Sequence, residues 1–141
     1  MTLCDTGPLV ALANPRESKL HDQCAHALSQ LKSPLVTTWV CLAEAFHLAG
    51  RMGGWPCQET LWKIVADPHA IEIHIPSTNE MARMRELMEQ YRNVPMDLGD
   101  ASLVAAAESR RLRRVFTLDS DFLIFRTQGG DAFEMIPAAR S

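Results

Sequence analysis

The sequence predicts an α/β protein built from βαβ units around a mostly parallel sheet of about five strands. Short apolar runs rich in Val, Ile and Thr alternate with longer stretches of helical period. Pro15, Pro34, Pro56, Pro68, Pro76 and Pro95 fall between those segments, where a residue without an N–H, which disfavours helix before it, does least harm. A chain of 141 residues, 47% of them hydrophobic, suits one domain over 1–141. It has no repeat, low-complexity tract or dividing linker.

In chain order, the first strand is expected at about 2–5, where "TLC" runs directly into Asp5. A short helical turn at 8–13 and a helix at 19–31 follow, then a strand at 35–38. The segment "WVCLAEAFHLAG" gives a helix at 39–50 and is followed by another at 57–66. A strand at 71–75 and a helix at 79–91 come next. In "MDLGDASLVAAAE" the small residues Ala101, Ala105 and Ala106 let a helix over 99–111 lie close to the sheet. "VFTL" at 115–118 and the run at 133–136 complete the strands.

Composition excludes several classes. No run of eighteen apolar residues exists, and Asp5 interrupts the first residues, so neither a membrane span nor a secretory signal fits and a cytoplasmic location is expected. Cys4, Cys24, Cys41 and Cys57 lie far apart and read as reduced core residues. Cys24 beside His21 and His26 is discounted as a zinc site, because the apolar period there points to packing. A net charge of −3 requires any nucleic-acid contact to be local. Arginines do gather, in "RRLRR" at 110–114 and at Arg83, Arg85 and Arg92. Compensation of a helix dipole accounts for much of the first group, with substrate binding as the other reading.

The informative residues are acids. In a right-handed parallel sheet, strand C-terminal ends and the N-terminal ends of crossover helices share one edge, where ligands bind. Asp5 and Asp119 follow the first and fourth strands onto that edge. Asp97 and Asp100 open the 99–111 helix, three residues apart on one face. Glu44 lies about 7–8 Å below the start of its helix and can lean toward that start. Each has a plainer reading: Asp97 as N-cap with Asp100 as capping-box partner, Glu44 as a solvated surface residue, Asp5, Asp119 and Asp121 as turn residues. Together they would repel one another unless a cation neutralised them. Oxygen ligands favour Mg²⁺ or Mn²⁺ over zinc, and such an ion beside phosphate makes phosphodiester hydrolysis plausible chemistry. Thr6 and Thr117 flank the cluster with hydroxyls able to orient an acid, although β-propensity alone explains Thr117.

"CDTGPLVAL", Glu44 within an apolar helix, "MDLGDASLVAAAE" and "VFTLDSDF", in this order, resemble the PIN-domain nucleases, and most closely the VapC-type toxins of bacterial toxin–antitoxin modules. The resemblance spans essentially the whole chain. It implies a three-layer α/β/α fold, Mg²⁺- or Mn²⁺-dependent endoribonuclease activity on RNA, a homodimer and a cognate antitoxin that blocks the acidic pocket. The implied acidic quartet, which binds the ion and carries catalysis, is Asp5, Glu44, Asp100 and Asp119, with Asp97 and Asp121 as further acids and Thr6 as the hydroxyl residue after the first Asp. Gly7 departs from the Ser often found next. Helices 19–31 and 39–50, with Trp39, Leu42 and Phe46, offer a surface for that antitoxin, although core burial is the preferred reading of those aromatic side chains.

Other classes fit less well. A phosphoacceptor receiver needs a lysine after a late strand, and Lys19, Lys32 and Lys63 all precede it. A haloacid-dehalogenase-like phosphatase needs Asp where Gly7 stands. No P-loop, dinucleotide fingerprint, serine elbow or H-E-x-x-H pattern is present. A catalytically silent relative that binds RNA or protein is the alternative, disfavoured because a retained acid cluster would be an uncompensated cost.

Overall fold

A computed structural model describes residues 1–137. Five parallel strands, β1 (Leu3–Cys4), β2 (Leu35–Thr38), β3 (Ile71–His74), β4 (Arg114–Phe116) and β5 (Glu134–Ile136), form one sheet in the order β3-β2-β1-β4-β5. The six helices are α1 (Thr6–Ala13), α2 (Ser18–Ser29), α3 (Trp39–Gly53), α4 (Trp55–Val65), α5 (Thr78–Gln90) and α6 (Leu98–Arg110). Every expected strand and helix is present. Boundaries move by a few residues, and α1 begins as soon as β1 ends because the Asp5 carboxylate accepts from the Thr6 N–H and starts the helix.

The layers follow from the period of two in the strands. Leu3, Val36 and Val115 face a core shared with α5 and α6, whereas Cys4, Leu35 and Phe116 face the core built with α1 to α4. Right-handed crossovers from β1 through β2 to β3 put α1 to α4 on one face, and the return from β3 to β4 puts α5 and α6 on the other. The direction of winding therefore reverses between β1 and β4. Helix α6 sits against the sheet through Ala101, Ala105, Ala106 and Ala107, all buried, as its small side chains predict.

The arginine clusters have structural partners. Arg110 meets Glu72 and donates to His74 Nδ1, Arg113 pairs with Asp131, and Arg114 pairs with Glu134. Arg113 also donates to the Ala107 carbonyl in the last turn of α6, the dipole compensation expected of it, and to the Leu112 carbonyl just beyond the helix. Arg83 is bound by Glu108 through two hydrogen bonds. Since Arg113 and Arg114 stand where β4 begins, they are at the opposite rim from Asp5 and Asp119.

Candidate active site

The reversal point between β1 and β4 is where an open α/β sheet leaves a crevice at its strand C-terminal ends. A cavity of about 290 Å³ lies there, lined by Asp5, Glu44, Asp97, Asp100 and Asp119 together with Thr6, Gly7, Leu48 and Leu118.

Asp5 is only 8% exposed and fixed on both oxygens. Oδ1 accepts from the Thr6 N–H at 2.8 Å, and Oδ2 accepts from Thr117 Oγ1 at 2.7 Å. The same Thr117 hydroxyl accepts from the Asp119 N–H at 3.0 Å, so one buried side chain ties the ends of β1 and β4 together. Thr117 thus has a role beyond β-propensity. Asp119 then caps the 3-10 turn Ser120–Leu123 by accepting from the Asp121 N–H at 2.9 Å.

Asp97 and Asp100 form a reciprocal capping box at the start of α6: Asp97 Oδ1 accepts from the Asp100 N–H at 2.8 Å, and Asp100 Oδ2 from the Asp97 N–H at 3.2 Å. The plainer reading of this pair therefore holds, and the chemical one is compatible with it. Asp100 is 5% exposed, and Asp5, Asp100 and Asp119 each offer an oxygen within 4.8 Å of the others. Burial pushes the Asp100 carboxyl up to about 8, with the Asp97, Asp5 and Asp119 charges adding to it against the Asp97 N–H. Burial likewise raises Asp5, opposed by the Thr117 and Thr6 hydrogen bonds.

The other expected residues are placed less centrally. Glu44 is exposed and lines the cavity without joining the three clustered oxygens. Its Oε2 lies 3.5 Å from Thr6 Oγ1, a hydroxyl that also donates to the Cys41 carbonyl. Asp121 supplies a backbone N–H to Asp119, but it does not line the cavity. In α3, Leu42 is fully buried and Phe46 packs on Trp62 with ring centroids 4.5 Å apart, in line with the core reading, whereas Trp39 stands open and departs from it.

Several supports escaped the sequence reading. Thr38 caps α3 and hydrogen-bonds Ser102 Oγ at 2.7 Å, joining the starts of α3 and α6 beneath the acids. Ser102 also donates to the Gly99 carbonyl. Gly99 faces the site: a Cβ there would stand 3.5 Å from Glu44 Oε2 and 3.4 Å from Asp97 Oδ1. Thr38 sits immediately ahead of an apolar-periodic helix, a signal that could have identified its capping role.

The donor set suits a hard divalent ion. Mg²⁺ with bonds of about 2.0–2.1 Å places opposed oxygens roughly 4 Å apart, close to the spacing available here. Among the described residues, no other group of His, Cys, Asp or Glu side chains has that proximity.

A model of the PIN domain matches residues 2–126. The chain belongs to the PIN domain family. Among solved structures it resembles VapC20 of Mycobacterium tuberculosis, a sarcin-ricin loop cleaving toxin, with a TM-score of 0.78 over 86% of this chain and 92% of that one. Identity is 15%, so this likeness speaks for the PIN fold. No curated protein matches the chain. The model spans all five cavity acids and also Asp121, so the crevice belongs to the PIN domain itself.

Proposed function

We propose that this PIN-domain protein is a VapC-type toxin, an endoribonuclease dependent on Mg²⁺ or Mn²⁺ and contained in one domain over 1–141. The observation that carries the reading is the meeting of Asp5, Asp100 and Asp119, from three separated segments, within 4.8 Å in a crevice open to substrate. Family membership and the fold shared with an RNA-cleaving toxin support it.

Asp5, Asp100 and Asp119 would hold the ion, with Glu44 as the fourth acid of the catalytic quartet. When bound, the ion supplies an acidified water and charge stabilisation for the phosphoryl centre. Thr117 and Thr6 hold Asp5 in one orientation. Asp97 holds the first turn of α6 and so fixes Asp100. Glu44, on the cavity wall, would accept a proton from the attacking water or serve as a further ligand of the ion. Asp121 serves by fixing Asp119 through its backbone, not as a ligand.

The partners of this reading are an RNA substrate, a cognate antitoxin and a second copy of the chain, in the cytoplasm. Among the described residues no helix is long and apolar enough to cross a membrane. For the homodimer we favour the largely apolar groove of about 480 Å³ formed by Val40, Pro76, Met84, Met88 and Leu98, with Arg85 on its edge. Met81, which also lines it, is 61% exposed and Leu98 is 49% exposed, apolar surface that a second copy would cover.

The test is cleavage of a defined RNA panel in Mg²⁺, Mn²⁺ and EDTA by the parent protein and by Asp5→Asn. Cleavage lost in EDTA and in the variant is expected. Equal cleavage by the variant would refute the assignment.

A further inference from the structure

The acidic cavity continues into a second depression of about 210 Å³, and Gly7, Leu48 and Leu118 line both. Beyond that threshold the wall is made by Val10, Ala11, Asn14, Glu17, Leu20 and Met52, and the surface it presents to the depression is apolar. Leu20, Met52 and Leu118 are 41%, 49% and 39% exposed, so apolar surface faces solvent beside a cluster of carboxylates. Gly7 keeps the passage open: a Cβ there would already touch Leu118 at 3.4 Å, and a larger side chain would narrow it.

Resting on the nuclease reading above, we infer that this depression receives an unstacked nucleobase next to the scissile phosphodiester. The phosphate is placed by the acids and their ion, so the adjoining nucleoside must lie against the neighbouring wall. An RNA base leaving its stack exposes two apolar faces, and a wall of Leu, Met and Val side chains covers such a face. The wall is apolar, so it holds a base by its face rather than reading its edge, and tolerates any base there. Its volume falls below the roughly 300–1,000 Å³ of pockets that enclose a whole small molecule, a size that suits a single base.

The test uses an RNA hairpin that the parent protein cleaves in Mn²⁺, made intact and as a series lacking one base at each nucleotide flanking the cut. Single-turnover rates are measured for the parent, Met52→Gln and Leu20→Ser, both at partly exposed positions, with folding checked by thermal unfolding and Mn²⁺ affinity by calorimetry. Removal of one particular flanking base should slow the parent about tenfold, as expected when a base face loses its burial against apolar side chains. The two variants should cleave the intact strand slower by a similar factor, cleave that abasic strand no slower than the parent does, and bind Mn²⁺ unchanged. Abasic strands cleaved at the intact rate, or variants that slow intact and abasic strands alike, would overturn the subsite and leave the depression to a protein segment. If the parent cleaves no hairpin, the nuclease reading and the subsite fall together.

Discussion

Thr117 Oγ1 donates to Asp5 Oδ2 at 2.7 Å and accepts from the Asp119 N–H at 3.0 Å, so the two strand-end acids are registered by a single hydroxyl that is 1% exposed. Replacing it with an isosteric side chain that cannot hydrogen-bond leaves a buried carboxylate oxygen and a backbone N–H without that partner.

Thr117→Val should therefore destabilise the protein by about 1–3 kcal/mol, the cost of buried groups left unpaired. RNA cleavage should fall at least about tenfold, because a mispositioned acid misplaces the reacting groups. Thr117→Ser retains the hydroxyl and should recover most of the activity. Chemical denaturation and single-turnover cleavage of the three proteins test this; a Ser variant as impaired as Val would point to lost packing instead.

The pH dependence has a defined sign. The Asp100 carboxyl is raised to about 8, first by burial and then by its acidic neighbours. In the ion-free folded protein it keeps its proton above the pH at which the unfolded chain has released it. Folding thus takes up a proton between about pH 4 and 8, and ion-free stability falls as pH rises through that window. The raised Asp5 acts in the same direction. Ion binding needs the carboxylates and so strengthens as pH rises toward 8, with proton release. Thermal unfolding in EDTA from pH 5 to 8, beside Mn²⁺ calorimetry in buffers of different ionisation enthalpy, should show opposite trends.

Much of this site could be read in the sequence because parallel topology gathers strand ends and helix starts mechanically. Asp5, Asp100 and Asp119 each adjoin an element boundary, and boundaries are where period and capping signals are sharpest. Glu44 lies inside a helix, so its depth but not its reach is legible in the chain, and it lines the cavity without joining the clustered oxygens. Leu42 and Phe46 were ambiguous for a related reason: an apolar side chain in α3 can face the sheet, α4 or solvent, and only packing against Trp62 decides for Phe46. The Thr38–Ser102 hydrogen bond spans 64 positions, and no local pattern announces such a pair.

The capping box separates structure from chemistry at neighbouring positions. Asp97→Ala removes the acceptor of the Asp100 N–H and should cost about 0.5–2 kcal/mol of stability. Asp100→Asn retains an oxygen for the box while removing a charge from a crowded, buried place. It should match or exceed the parent in EDTA stability at pH 8 and yet lose Mn²⁺ binding and cleavage. Calorimetry and thermal unfolding on the two variants distinguish these outcomes.

Gly99 tests Glu44 without altering a charge. In a helix Ala is favoured over Gly by roughly 0.5–1 kcal/mol, and a Cβ at this position would make ordinary contacts with Asp97, Glu44 and Cys41, the nearest at 3.4 Å. Gly99→Ala should accordingly keep the parent's stability and stay within a few-fold of its cleavage rate. Gly99→Val extends further atoms toward Glu44 Oε2, which lies 3.5 Å from the Cβ position, and should swing that carboxylate away. Asp5, Asp100 and Asp119 cluster without Glu44, so Mn²⁺ binding should survive in the Val variant while cleavage falls about tenfold or more. Parallel loss of ion affinity and cleavage would instead place Glu44 among the groups that hold the ion.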